Sequence, residues 1–268
     1  GRVGMVERVG VSVNARGVNC VGFIPARLGS TRFPEKVLAA RTGRPLIQHV
    51  WEAACRASTL SRVVIATDHE RVIAAARAFG AETVLTRTDH PNGTSRIAEA
   101  ASKIGLADHQ VVVNVQGDEP ELEPGVIDAA VEAFIRLERE AGARVGTAAS
   151  VMEAEESADD PNIVKVVTDL RGRALYFSRS KVPLDRDARG GSDASYLRHI
   201  GVYVYRRSFL DEYVQLSSTP LERTEQLEQL RVLEHGHTIA VGRCKARHTG
   251  IDTPEQYEAF VQRWNARL

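Results

Sequence analysis

Short apolar runs and amphipathic stripes alternate along most of the chain. Val21 to Ile24 predicts a buried strand, and Pro45 to Ala57 a helix. Arg62 to Thr67 is rich in β-branched residues and reads as a second strand. Thr67-Asp68-His69-Glu70 has capping-box spacing, after which Val72, Ile73, Ala76 and Phe79 share one helical face and Gly80 supplies a stop. Glu82 to Leu85 predicts a short strand, and Thr94 opens a helix striped by Ile97, Ala101 and Ile104. Gln110 to Val115 is the strongest strand signal. Val126, Ile127, Ala130, Val131, Phe134 and Leu137 form a long amphipathic stripe, and Val145 to Val151 predicts a further strand.

Strands and helices alternating in this way predict an α/β fold: a mostly parallel sheet with helices on both faces. Ligands of such folds bind beyond the carboxyl ends of the strands. After residue 160 the rhythm changes. Ile163 to Thr168, Arg173 to Phe177 and His199 to Tyr205 read as strands with few helices between them, and Gly190-Gly191 as a flexible tip. Residues 160–206 are thus expected to form a β-rich insertion that serves as a dimer arm. Thr219-Pro220-Leu221-Glu222 starts a helix whose apolar face begins at Leu227 and Leu230. Thr238 to Val241 predicts the last strand and Pro254 to Trp264 the closing helix.

Composition narrows the function classes. The 268 residues are 43% hydrophobic and 26% charged, which suits one domain over 18–268; residues 1–17 read as an N-terminal extension or expression remnant. Thirty-five basic residues balance thirty-five acidic ones, so no global field favours nucleic acid or an anionic membrane as partner. No apolar run approaches the ~20 residues of a membrane span. Cys20, Cys55 and Cys244 are odd in number and widely spaced, which suits a reducing cytoplasm. Residues 1–36 nevertheless hold six cations against two acids, so any polyanion binds at a site rather than over a surface.

That surplus includes the loop Pro25-Ala26-Arg27-Leu28-Gly29-Ser30-Thr31-Arg32-Phe33-Pro34-Glu35-Lys36, directly after the first strand. Backbone N–H groups and fixed cations converging there suit a triphosphate. Gly29 stands alone and Val37 follows Lys36, which excludes both a Walker A loop and a dinucleotide fingerprint. The spelling resembles the CMP-Kdo synthetases, the cytidylyltransferase branch of the sugar nucleotidyltransferases that activates 3-deoxy-manno-octulosonate (Kdo). Glu35 departs from that pattern, which often has glycine there. The resemblance implies a nucleotide-diphospho-sugar transferase-like fold and spans residues 20–265.

Asp118, in Val115-Gln116-Gly117-Asp118-Glu119-Pro120, follows the strongest strand and reads either as a turn aspartate or as a hard carboxylate ligand for Mg²⁺. Asp252 sits in Gly250-Ile251-Asp252-Thr253-Pro254, where Asp252 or Thr253 makes a helix cap. The resemblance implies that both aspartates bind the metal. It also implies catalytic roles for Lys36, Arg27, Asp118 and Asp252, with Lys36, Arg27 and Arg32 holding phosphate charge. Thr86 to Arg96 resembles the family's cytidine pocket, so CTP is expected on Pro25, Ala26, Arg27, Arg32, Lys36, Arg87, Gly93 and Ser95. The sugar side falls to Gln116, Arg179, His199, Glu228 and Gln229. The implied reaction transfers CMP from CTP to Kdo, releasing pyrophosphate, in a cytoplasmic homodimer that supplies lipopolysaccharide synthesis. Rival readings are the same chemistry on 8-amino-Kdo or a sialic-type acid, and a non-catalytic nucleotide-binding module. His235, His237 and His248 have weak metal spacing and stay unassigned.

Overall fold

The computed structural model describes residues 19–29, 32–186, 195–247 and 250–267. The 1–17 extension, Ser30, Thr31, the Gly190-Gly191 tip and His248 lie outside them. The elements run β1 (Cys20–Ala26), a 3₁₀ turn (Lys36–Leu38), α1 (Leu46–Cys55), β2 (Leu60–Thr67), α2 (Glu70–Ala78), β3 (Glu82–Leu85), α3 (Gly93–Lys103), β4 (Val111–Asn114) and α4 (Pro124–Ala141). The second half runs β5 (Val145–Val151), β6 (Lys165–Thr168), β7 (Ala174–Ser178), β8 (Leu197–Arg206), α5 (Arg207–Tyr213), α6 (Pro220–Glu225), α7 (Gln229–Glu234), β9 (Ile239–Cys244) and α8 (Pro254–Asn265).

The main sheet has the order β3-β2-β1-β4-β8-β5-β9. Side chains alternate across a strand, so neighbours in one apolar run serve opposite faces. Ile24 and Val113 join α1, α2 and α4 on one face, where Ile47, Val50, Val126 and Phe134 are buried. Phe23 and Val112 point the other way, to Ile97 of α3, Phe209 of α5 and Leu230 of α7. Each such side chain withdrawn from water stabilises the fold by about 1.5–3 kcal/mol before entropy is counted. The expected two-faced α/β sheet is therefore present. Among the described residues no helix is long and apolar enough to cross a membrane.

The β-rich region divides differently from the sequence expectation. β6 and β7 form a hairpin, but β8 is a central strand of the main sheet, antiparallel to both β4 and β5. Its composition could not reveal this, because which strands it pairs with is set by residues far away in sequence. α5 follows β8 immediately and was not anticipated.

Three helix starts and stops also move. Thr67 ends β2 two residues before the cap position of α2, and His69 is the cap, its Nδ1 accepting from the Arg71 amide at 3.1 Å. Asn92 caps α3, accepting from the Ser95 amide at 2.9 Å, so the helix opens at Gly93 rather than Thr94. Half of the expected Thr219–Glu222 box forms, with Glu222 Oε2 accepting from the Thr219 amide at 3.1 Å while the buried Thr219 hydroxyl has no partner among the described residues, and α6 stops at Gln226, whose φ of 55° is left-handed. Leu230 therefore belongs to α7. The Arg179 side chain holds this break, donating to the carbonyls of Glu225 at 2.8 Å and Gln226 at 3.3 Å.

Candidate active site

β1, β2 and β4 run parallel and end on one edge of the sheet. The loop after β4 crosses the end of β1 so closely that a Cβ on Gly117 would lie 2.7 Å from the Pro25 carbonyl oxygen. Gly93 abuts the same proline, where a Cβ would lie 3.0 Å from its ring. Two glycines thus bring the 116–120 and 91–95 segments onto the start of the basic loop. A cleft of about 410 Å³ opens there, with Arg27, Arg32 and Lys36 on its basic side and Asp118 and Asp252 on its acidic side.

Lys36 is the focus. It begins the 3₁₀ turn, and its side chain is 11% exposed. Its Nζ donates to Asp118 Oδ2 at 3.0 Å and to the Ile251 carbonyl at 2.6 Å, and lies 3.5 Å from Asp252 Oδ1. Arg32 reaches the same Asp252 oxygen at 3.1 Å. The Ile251 amide donates to the Asp118 carbonyl at 2.8 Å, which ties the two aspartate segments together through their backbones. Burial pushes the Asp118 pKa up; Lys36 opposes that, while Glu119 and Asp252 add to it.

The cap question at Asp252 resolves cleanly. Thr253 is the N-cap of α8, in a reciprocal box with Gln256. Asp252 gives only its amide to that box, donating to Gln256 Oε1 at 2.6 Å. Its carboxylate faces Lys36 and Arg32 instead. Two hard carboxylates at one point suit Mg²⁺, which takes few protein ligands and fills its shell from substrate and water. Among the described residues no cluster of three or more His, Cys, Asp or Glu could hold a metal by itself.

Twelve of the fifteen residues expected at the site line this cleft or its neighbour. The other three are Ala26, Arg87 and Ser95. Ala26 is fully buried in the core. Arg87 is exposed and lies 3.4 Å from both Asp89 and Glu99. The Ser95 hydroxyl bonds His90 Nδ1 at 3.1 Å and the Asn92 carbonyl at 3.0 Å, bracing the turn into α3. Arg96 of the same motif is buried on Asp68 at 2.8 Å and Thr86 at 2.6 Å. The lining of this wall includes Asn92 and Pro91, which the motif did not single out.

A second cleft of about 1150 Å³ adjoins the first, and Arg32, Gly93, Gln116, Glu228 and Asp252 border both. Two of the expected sugar residues on it are held by hydrogen bonds. The Arg179 guanidinium donates to the carbonyls of Glu225, Gln226 and, at 3.0 Å, Pro161. Gln229 Oε1 accepts from the Tyr203 hydroxyl at 3.2 Å. Burial pushes the His199 imidazole down to about 3, so it is neutral. Desolvation raises the Glu228 carboxyl, with Arg231 pulling against it. Tyr203 and Arg198 also line this cleft; the alternation of β8 was visible in sequence, but its face was not.

A cationic cleft at the strand ends, two carboxylates on its rim and a polar cleft beyond define a nucleotidyl-transfer class of site. A profile of the family described as cytidylyltransferase matches residues 21–239. The chain is 46% identical over 248 residues to the 3-deoxy-manno-octulosonate cytidylyltransferase of Solibacter usitatus, covering 92% of this chain and 95% of that one. It is 50% identical over 242 residues to the enzyme of the same name from Pseudomonas syringae pv. tomato, covering 88% and 94%. The solved CMP:2-keto-3-deoxy-manno-octonic acid synthetase complexed with CTP superposes with a TM-score of 0.83 at 40% identity, over 93% of this chain and all of that one. A cytidylyltransferase from Leptospira borgpetersenii shares the fold alone, with a TM-score of 0.56 at 14% identity, over 91% of this chain and 85% of that one. The chain belongs to the cytidylyltransferase family, in its 3-deoxy-manno-octulosonate branch.

Proposed function

We propose that the chain transfers CMP from CTP to Kdo, giving CMP-Kdo and pyrophosphate for lipopolysaccharide synthesis. The observation that carries this reading is the meeting of Lys36, Asp118 and Asp252 where a cationic cleft opens into a larger polar one. CTP takes the first cleft, with Arg27, Arg32 and Lys36 on its phosphates. Arg forks match phosphate oxygens bidentately, and Lys supplies a compact charge. Kdo takes the second, facing Gln116, Glu228 and Gln229 beside His199 and Arg179. The anomeric hydroxyl attacks the α-phosphorus; the new P–O bond forms as the α–β bridging bond breaks, pyrophosphate departs and the hydroxyl proton passes to solvent.

Asp118 and Asp252 would hold Mg²⁺. Bound there, the metal supplies Lewis-acid neutralisation of phosphate charge and a lower pKa for the attacking hydroxyl. Lys36, set between the two carboxylates, moves its charge to the phosphates when the nucleotide is seated. The proposed setting is a homodimer in the cytoplasm, with the β6–β7 hairpin as its arm.

One observation favours a second reading of the substrate. Glu228 borders both clefts and offers a carboxylate to an ammonium, which suits 8-amino-Kdo. The deciding experiment is pyrophosphate release with CTP, Mg²⁺ and a panel of sugar acids. Kdo should exceed N-acetylneuraminate by at least ~10³-fold in kcat/KM, because polar groups built for one hydroxyl pattern are left unpaired by another. Equal turnover of the nine-carbon acid overturns the reading. Preference for the 8-amino sugar keeps the chemistry and changes the substrate. Absence of turnover with every acid leaves a nucleotide-binding module.

A further inference from the structure

Pairing between β5 and β8 slips in the middle of the sheet. Thr147 faces Tyr203, yet the next residue, Ala148, faces Ile200, so Gly201 and Val202 are extra residues on β8. Bulges of this kind re-aim side chains and leave backbone groups without ladder partners. Thr147 fills this one. It is fully buried, and its hydroxyl lies 2.8 Å from the Val202 carbonyl and 3.2 Å from the Ile200 carbonyl. The same oxygen lies 2.9 Å from His199 Nε2.

Hydrogen-bond inventory then favours one state of the histidine. A carbonyl only accepts, so Thr147 serves the bulge carbonyls only when its single hydroxyl proton points at them. Its oxygen is left to accept, and the proton it accepts belongs to His199 Nε2. A neutral imidazole with its proton on Nε2 has an unprotonated Nδ1. The ring is held in that place from both sides, with Phe177 edge-on at 4.9 Å and Tyr203 at 5.6 Å between centroids. His199 and Tyr203 both line the larger cleft. Directly after the bulge, Tyr203 donates to Gln229 Oε1 and leaves the Gln229 amide nitrogen as a donor.

We propose that Thr147 is a positioning residue for the sugar half of the site: it locks His199 as a neutral acceptor, so that one cleft carries both an imidazole nitrogen and the Gln229 amide donor. This rests on the reading that a sugar acid occupies the larger cleft. An acceptor and a donor on one cleft suit a sugar's hydroxyls, which both give and take hydrogen bonds. The acceptor does not suit the sugar carboxylate, which has no proton to give Nδ1. His199 therefore reads a hydroxyl, and the carboxylate lies elsewhere.

The test combines ¹⁵N-histidine NMR with kinetics on the intact protein. In the wild type, His199 should show the Nε2–H tautomer without titrating over pH ~5–8, the range where an ordinary histidine changes charge. Thr147→Val keeps the shape and removes the hydroxyl. It should mix the tautomers and raise KM for Kdo roughly tenfold, the scale of one buried polar group left unpaired, with KM for CTP little changed. Thr147→Ser should restore both. A wild-type imidazolium or Nδ1–H signal overturns the inference, whatever the substrate proves to be. So does an unchanged KM for Kdo in a folded Thr147→Val protein. If that variant does not fold, the wild-type spectrum and the Ser variant decide. A wild type that ignores Kdo but shows the Nε2–H ring overturns the proposed substrate and supports the lock.

Discussion

The two clefts are built on different plans. The cationic cleft comes from loops that directly follow β1, β3 and β4, three parallel strands of one sheet. Its cations stand within ten residues of one another, Arg27 to Lys36. The larger cleft is assembled from β8, the hairpin and the α6–α7 break, and its side chains are oriented by partners far away in sequence. Arg179 holds residues 161, 225 and 226, and Thr147 holds His199. One half places charge by local chain geometry. The other places neutral donors and acceptors by tertiary hydrogen bonds. Substitutions in the first should act on the chemical step, and those in the second on sugar affinity.

The largest effects should come where the halves meet. Asp118→Ala and Asp252→Ala should each lower kcat by at least ~10²-fold, the scale of losing one strong electrostatic element. Isothermal Mn²⁺ binding in the presence of CTP should weaken in parallel. Because Thr253, not Asp252, caps α8, Asp252→Ala should leave the melting temperature nearly unchanged. A large loss of stability with intact kcat would return Asp252 to a structural role.

Lys36→Ala comes next. It removes charge that serves the phosphates as the bond to pyrophosphate breaks. Steady-state kinetics should show kcat falling ~10–100-fold, and by more than CTP affinity falls. A raised KM for CTP with unchanged kcat would make Lys36 a binding residue only. On the sugar side, Gln229→Ala should do the reverse, raising KM for Kdo by roughly tenfold with kcat and KM for CTP little altered. If it lowered kcat alone, the division between the two clefts would fail.

The same division explains what the sequence made legible. The β1–β4 half was readable because each strand–helix unit announces itself through its own periodicity, and the basic loop is contiguous. Asp118 and Asp252 were recognisable by their motifs, but their meeting at Lys36 is a tertiary fact. β8 was readable as a strand, but its neighbours β4 and β5 and its antiparallel direction are set by long-range pairing that its own residues do not record. The Thr86 to Arg96 segment reads alike in sequence whether it touches ligand or braces the loop; Ser95 has bracing partners, and Arg96 both pairs with Asp68 and lines the cleft. Thr147 carried no signal at all. A threonine in the apolar run 145–151 is ordinary strand composition until the bulge opposite is seen.

The brace behind the cationic cleft gives a prediction in pH. Burial pushes the Glu99 carboxyl up, but Lys103, His90 and the Arg87 amide outweigh it and hold the group at about 2. A folded pKa below the ordinary 4.5 means that ionised Glu99 stabilises the fold above that value. The contribution fades as pH falls from there toward about 2. Urea unfolding at a series of pH values should show Glu99→Gln losing about 1–3 kcal/mol near neutrality, with a flatter acid slope than the wild type. An unchanged slope would remove Glu99 from the brace.

Glu35 gives the smallest effect and separates loop shape from loop charge. Its φ of 53° and ψ of 24° lie in the left-handed region, which disfavours side chains and suits glycine. Its carboxylate turns away from Lys36 and pairs with Arg71 on α2, one contact at 2.8 Å, and that guanidinium lowers its pKa. The pair thus pins the loop to α2 across the turn and keeps the acid out of the cleft. Glu35→Gly removes backbone strain, but it also removes the pin and loosens the unfolded chain. These effects oppose one another, so the melting temperature should move by less than ~4 °C in either direction. With the acid already turned outward, kcat/KM for CTP should stay within about twofold, as for a surface change away from the reacting groups. A rise of tenfold would show that Glu35 weakens the field at Lys36 after all. A fall of tenfold would show that the pin to α2, rather than the cations alone, shapes the triphosphate loop.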